Sequence, residues 1–262
     1  MELRRIKLAK KKLAAMPKGE RTLLLLLGHA NNEINVLSKL ILMMRKDDAP
    51  NQIVDHVEAG QIFVIMRLLI GKLHEAWELF KNRFQGDRQL AAKYASQFGP
   101  EAAAALQELN RHFGKGSPLT AIRNKIAFHY TDKDNLTEAN FQRLSETEPL
   151  EFYLTKTVGN SFYHAAELVI SLSAINLARK ETSDPGSATT TSPEAQAFSN
   201  LCGEVILVSR HITELFGSLM GLMVEAIPDL EITTDALPDG PKLSAFSLPY
   251  FFDEDDALPP PA

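Results

Sequence analysis

One cysteine, Cys202, in 262 residues cannot close an internal disulfide or build a site from several thiolates, and it fits a reducing compartment. A cytoplasmic protein is the expectation. The longest apolar runs are LLLLL at Leu23 to Leu27 and IFVIM at Ile62 to Met66, far short of the ~20 residues that cross a bilayer. A soluble chain with no membrane partner is therefore expected. The first 21 residues carry positive charge but scatter their apolar residues, which excludes the continuous run of a secretory signal.

Several chemical signatures are also missing. There is no GxxxxGK loop followed by Ser or Thr and no GxGxxG turn, so nothing points to nucleotide hydrolysis or hydride transfer. A Ser-His-Asp hydrolase has no nucleophile-elbow sequence to rest on. The seven histidines form no HExxH, and no glutamate is followed three residues later by histidine, which removes the zinc-peptidase and di-iron bundle patterns. The nearest approach is His74 and Glu78 in HEAWE, two ligand types on one helical face without an obvious third. No metal and no cofactor are expected.

What is present is an apolar share of 45%, enough to fill a sizeable core, arranged at helical spacing. Gly19 to Arg45 reads as a long helix ended by the DDAPN turn, and Ile62, Ile65, Leu69, Leu73, Trp77, Phe80 and Phe84 form a second stripe that should end at Gly86. These aromatics, with Phe128, are expected in the core. Shorter helices are predicted over 87–97 and, opened by Pro100, over 100–113. Ser117 followed by Pro118 caps and starts another, which should stop near Tyr130. Thr137 caps a short helix to about Leu144. Long helices follow over 157–180 and from the Ser192-Pro193 start to Glu225, joined by a flexible, polar connection at about 181–192. Gly217 and Gly221 suggest close helix packing. No strand pattern is seen, so the expected fold is all-α: a bundle of long helices forming one domain over 21–225. An irregular, acidic, Pro-rich tail follows over 226–262.

The net charge of -5 is unevenly spread. Residues 1–20, a basic arm or helix, include Arg4, Arg5, Lys7, Lys10, Lys11 and Lys12, whereas the chain beyond Glu225 is acidic. Such an arm can meet phosphates, lipid headgroups or the chain's own acidic tail, and composition does not choose among them. The tail segment LPYFFDEDD joins aromatics to acids, as a docking peptide or an internal cover for the basic end would.

The segment LTAIRNKIAFHYTDKD, Leu119 to Asp134, gathers Arg123, Asn124 and His129 around Ile126, Ala127 and Phe128. Arginine offers phosphate oxygens a permanent cationic fork, asparagine donates and accepts, and histidine exchanges protons near neutrality. A structural reading pairs Arg123 with Glu75 or Glu78 and sets His129 at a helix C-terminus. RNKIAFHY also resembles the Arg-x(4 to 6)-His signature of the HEPN superfamily of helical, nucleic-acid-associated domains, here with five intervening residues and the frequent Asn after the Arg.

The resemblance implies a helical bundle, usually dimeric, whose active members cut RNA without metal, the ribose 2′-hydroxyl attacking the adjacent phosphate. Carried onto this chain, His129 is the general acid or base, Arg123 holds the phosphoryl charge and Asn124 orients the scissile group. Glu75 and Tyr130 are supporting candidates, and Lys125, Arg4, Arg5, Lys10, Lys11 and Lys12 are candidate RNA contacts. A toxin or defence role with an antitoxin or regulatory partner is implied, as is a noncatalytic RNA- or protein-binding alternative. Thr131 stands where a family branch regulated by tyrosine modification carries tyrosine, so that regulation is not expected. On a regular helix Arg123 and His129 lie about 240° and about 9 Å apart. The motif therefore requires the helix to loosen, or a second copy to complete the site.

Overall fold

The structure, a computed structural model, describes residues 2–44, 51–114, 116–127, 136–147, 149–157, 159–179, 193–242, 245–246 and 248–252. In chain order the elements are β1 (Glu2–Lys7), α1 (Lys10–Ala15), α2 (Lys18–Met44), α3 (Gln52–Phe80), α4 (Arg88–Tyr94) and α5 (Pro100–His112). They continue with α6 (Pro118–Ile122), α7 (Leu136–Phe141), α8 (His164–Arg179), α9 (Pro193–Glu225) and β2 (Glu231–Ala236). The chain is thus mostly helical, and the starts and stops follow local chemistry. Asp87 accepts from the amides of Gln89 and Leu90 to cap α4, and prolines occupy the first turns of α5 and α6. After Phe80 the chain widens into a π-helical turn, Lys81–Gln85, before Gly86 ends the run as expected.

The chain packs as two compact units, and the 21–225 span contributes to both. The first comprises 1–38, 72–115 and 206–245. Its core holds Leu23, Leu27, Ile34, Leu73, Leu109, Ile212, Phe216 and Leu219, with an aromatic column in which Trp77 lies between Phe80 and Phe113. Trp77 and Phe80 are core residues, as expected. Here Glu20 is buried, held by Lys93 Nζ at 2.9 Å to both oxygens and by the Tyr94 hydroxyl at 2.8 Å.

In this unit β1 and β2 pair antiparallel, Glu2 opposite Ala236 and Lys7 opposite Glu231, which corrects the strandless reading of the arm and of tail residues 231–236. The reason is cross-strand charge. Lys7 Nζ lies 2.7 Å from Glu231, Arg5 Nε lies 2.8 Å from the diagonal Asp235, and Ile6 faces Ile232. Arg4 reaches Glu225 at 3.8 Å, and Lys12 donates to the carbonyls of Pro228 and Asp229.

The second unit comprises 39–71, 116–205 and 246–262. Its core includes Val57, Phe63, Met66, Leu69, Ile70, Leu119, Ile122, Val169, Ile175 and Leu201. The buried face of α3 here is set by Phe63 and Met66 rather than by Ile62 and Ile65, which are only half-buried. Between Ile62 and Ile70 the helix is apolar almost all round, so spacing could not choose a face.

Helix α8 begins at His164, not Thr157. The preceding residues instead form a tight loop with an antiparallel bridge between Tyr153 and Phe162. Gly159 adopts φ 91°, and Ser161 exchanges hydrogen bonds with Thr155. The aromatic part of the tail segment LPYFF docks on this loop. The Asn160 side chain bonds both the carbonyl and the amide of Phe252, and the Tyr250 hydroxyl donates to the Ser161 carbonyl at 2.7 Å. The acidic end of LPYFFDEDD and the connection at 181–192 lie outside the described residues.

Two expectations about α9 change. A Cβ added at Gly217 or Gly221 would meet no described atom within 4 Å, so neither glycine marks a close helix approach. The stretch Gln196–Glu225 is, by length and composition, apolar enough to cross a bilayer, although no single run in it is long. It buries one stripe, Leu201, Val205, Val208, Ile212, Leu215, Leu219 and Met223, at the spacing of a core helix.

Candidate functional site

The RNKIAFHY segment starts as read from the sequence. Ser117 Oγ accepts from the Thr120 amide at 3.3 Å, Pro118 fills the first turn, and α6 buries Pro118, Leu119 and Ile122. The α-helix then ends at Ile122, and Arg123–Ala127 form a π-helical turn with Ile126 buried. A π turn closes through i→i+5 bonds, so each residue advances less around the axis than the 100° assumed for a regular helix. Over Arg123–Ala127 the regular-helix advance therefore does not apply. Arg123 Nη1 donates to Asn124 Oδ1 at 3.0 Å, with Arg123 and Lys125 half-buried and Asn124 exposed. Phe128, His129, Tyr130 and Thr131 lie outside the described residues.

The remaining candidates occupy other positions. Glu75 is an exposed residue of α3 in the first unit, while Arg123 belongs to the second. Glu78 is paired with Lys81 at 3.0 Å, and His74 lies edge-on to Phe113. Among the described residues no three His, Cys, Asp or Glu side chains group as a metal site. Of the basic arm, Arg4, Arg5 and Lys12 are engaged as described, and Lys10 and Lys11 are exposed on α1. The Lys7 hydrogen bond, with its charge, holds the Glu231 carboxyl below its ordinary value.

Two groupings escaped the sequence reading. In the first unit Arg111 sits between Glu108, at 2.8 Å, and the buried His112, at 3.0 Å. His211 of α9 interacts with this cluster. Burial is the main cause of its lowered pKa; His112, Arg210 and Arg111 add to it, and Glu108 opposes it. Spacing on α5 hinted at Glu108 and His112, but nothing in the sequence pointed from there to α9.

In the second unit His56 of α3 meets the 151–163 loop. Its Nδ1 is 2.8 Å from the Tyr153 hydroxyl, which lies 2.5 Å from Glu151 Oε2. The His56 ring stacks on His164 with centroids 4.2 Å apart and planes 4° from parallel. Burial, followed by the Glu151 hydrogen bond and charge, pushes Tyr153 up to about 12, so the phenol keeps its proton. That proton goes to the carboxylate, and the hydroxyl can only accept from His56. The imidazole therefore carries a hydrogen on Nδ1, which also lies 3.5 Å from Glu151 Oε2, and in its neutral form has its lone pair on Nε2, where Gln52 makes a long 3.5 Å contact. Further along α3, Arg67 Nη2 reaches both oxygens of Glu167, one turn after His164 on α8, at 3.2 Å, and burial is the main cause of a raised Glu167 pKa. No sequence signal links His56 to Tyr153, 97 positions away. Comparison with protein-family models, curated proteins and solved structures finds no match.

Proposed function

We propose that this chain is a HEPN-like, metal-independent endoribonuclease of the cytoplasm. It works as a homodimer in a toxin or defence role, under an antitoxin or regulatory partner. The observation that carries the reading is the π turn at Arg123–Ala127 with its Arg123–Asn124 hydrogen bond. The motif needs the helix to loosen before position 129 or a second copy to complete the site, and this turn departs from α-helical geometry at the arginine itself.

In the proposed reaction His129 removes the proton of the ribose 2′-hydroxyl, whose oxygen attacks the adjacent phosphorus. The bond from phosphorus to the 5′-oxygen breaks, that oxygen takes a proton, and a 2′,3′-cyclic phosphate remains. Arg123 bears the charge gathering on the non-bridging oxygens, and Asn124 fixes the guanidinium while orienting the phosphate. Lys125, Lys10 and Lys11 supply phosphate contacts.

Wild-type protein, Arg123→Ala and His129→Ala are incubated with single-stranded and structured RNA in EDTA. Wild type should yield cyclic-phosphate ends. The arginine variant should lose about 10²- to 10³-fold and the histidine variant about 10²- to 10⁴-fold, with helicity unchanged. Equal cleavage by all three rejects the assignment. A second reading, a noncatalytic binding module, is favoured by the exposure of Lys10 and Lys11 beside the neutralised ribbon. RNA retention without cleavage by any of the three proteins would select it.

A further inference from the structure

The second unit holds a half-open cleft of about 230 Å³ between α3, α8 and the start of α9. A space of this size has room for one ring and a short chain. Phe63, Leu172, Ile175 and Phe198 give it an apolar wall, and His56, His164, Glu167 and Ser171 supply its polar groups.

Three of these polar groups have settled hydrogen-bonding roles. His56 commits an Nδ1 hydrogen to Tyr153, and its neutral ring offers the lone pair of Nε2. The Ser171 hydroxyl spends its proton on the Leu168 carbonyl at 2.9 Å, so it too offers lone pairs. Glu167 accepts from Arg67 and, as a carboxylate, has further acceptor positions. An occupant matched to these three groups must donate, and a primary ammonium brings three donors on one atom to them, with Arg67 already offsetting part of the Glu167 charge. The aromatic wall suits an apolar body, and one face of the Phe63 ring already carries the Arg67 guanidinium, 5.2 Å from its centroid.

We propose that this cleft binds a small organic amine, with the ammonium donating among Glu167, Ser171 and His56 Nε2 and the apolar body against Phe63 and Phe198. The inference does not depend on the ribonuclease reading. It rests on residues of other helices, α3, α8 and α9, and its readout is binding alone.

Phenethylamine is the probe, with phenethyl alcohol and phenylacetate as neutral and anionic controls of the same shape. Binding to the full chain is measured by calorimetry and by NMR shifts. The amine should bind at least tenfold tighter than the alcohol, as a charge-assisted hydrogen bond requires, and phenylacetate should bind weakest. Glu167→Gln should abolish the preference for amine over alcohol, and Leu172→Trp should block all three compounds by filling the cleft. Ser171→Ala, the mildest change, should weaken the amine while leaving helicity and melting intact, so the proposal stays testable if a larger change unfolds the unit. Equal affinity for the three probes, preference for the carboxylate, no amine binding at millimolar concentration, or undiminished binding in a folded Leu172→Trp or Ser171→Ala would overturn it.

Discussion

His211 illustrates a histidine kept uncharged by its surroundings. Burial lowers its pKa, the neighbouring His112, Arg210 and Arg111 lower it further, and Glu108 only partly opposes them. The neutral ring is therefore favoured in the folded chain, whereas the unfolded chain takes up its proton first. This contribution to stability is complete above the ordinary value of 6.5 and is lost as pH falls from there through the folded value. Urea unfolding followed from pH about 8 to about 5 should show stability declining on the acidic side, and His211→Gln should flatten that decline. An unchanged slope in the variant would show that another group controls it. At this scale the sequence disclosed side-chain chemistry but not neighbours. Ser117 capping Thr120 across three positions was legible, while the proton placement on His56 depends on a hydroxyl 97 positions away.

Among the elements, helix ends were read best because Pro118, Pro100 and Asp87 act on their immediate neighbours. The start of α8 was misplaced because the 151–163 loop is fixed by partners far along the chain, including Phe252. The same loop explains Gly60. Phe162 is buried against α3, and a Cβ at position 60 would run into its ring. Gly60→Ala should destabilise the chain by about 1–3 kcal/mol, the cost of forcing a packed ring to move, although alanine is the better helix former. Phe162→Leu in the same chain should recover much of the loss, and denaturant titration of both variants checks this. Additive losses would mean that the two residues do not meet. The β ribbon was the clearest omission, since six-residue strands rich in charge resemble solvated coil until their partner is known.

For the whole molecule, the ribbon changes what a net charge of -5 means. The basic and acidic ends meet each other, so Arg5 and Lys7 are offset by Asp235 and Glu231 before any outside polyanion arrives. Glu231→Gln with Asp235→Asn should therefore shift elution from immobilised heparin to higher salt. The shift should exceed that of a control removing two exposed acids elsewhere, Glu101→Gln with Glu138→Gln. Equal shifts would mean that total charge governs binding and the pairing does not.

The register of that ribbon also imposes an order in time. Lys7 leaves the ribosome about 220 residues ahead of Glu231, its partner in the ladder, an interval of roughly ten to forty seconds at ordinary synthesis rates. Throughout that interval the nascent basic strand has no acidic mate, and it waits beside a particle built largely of RNA.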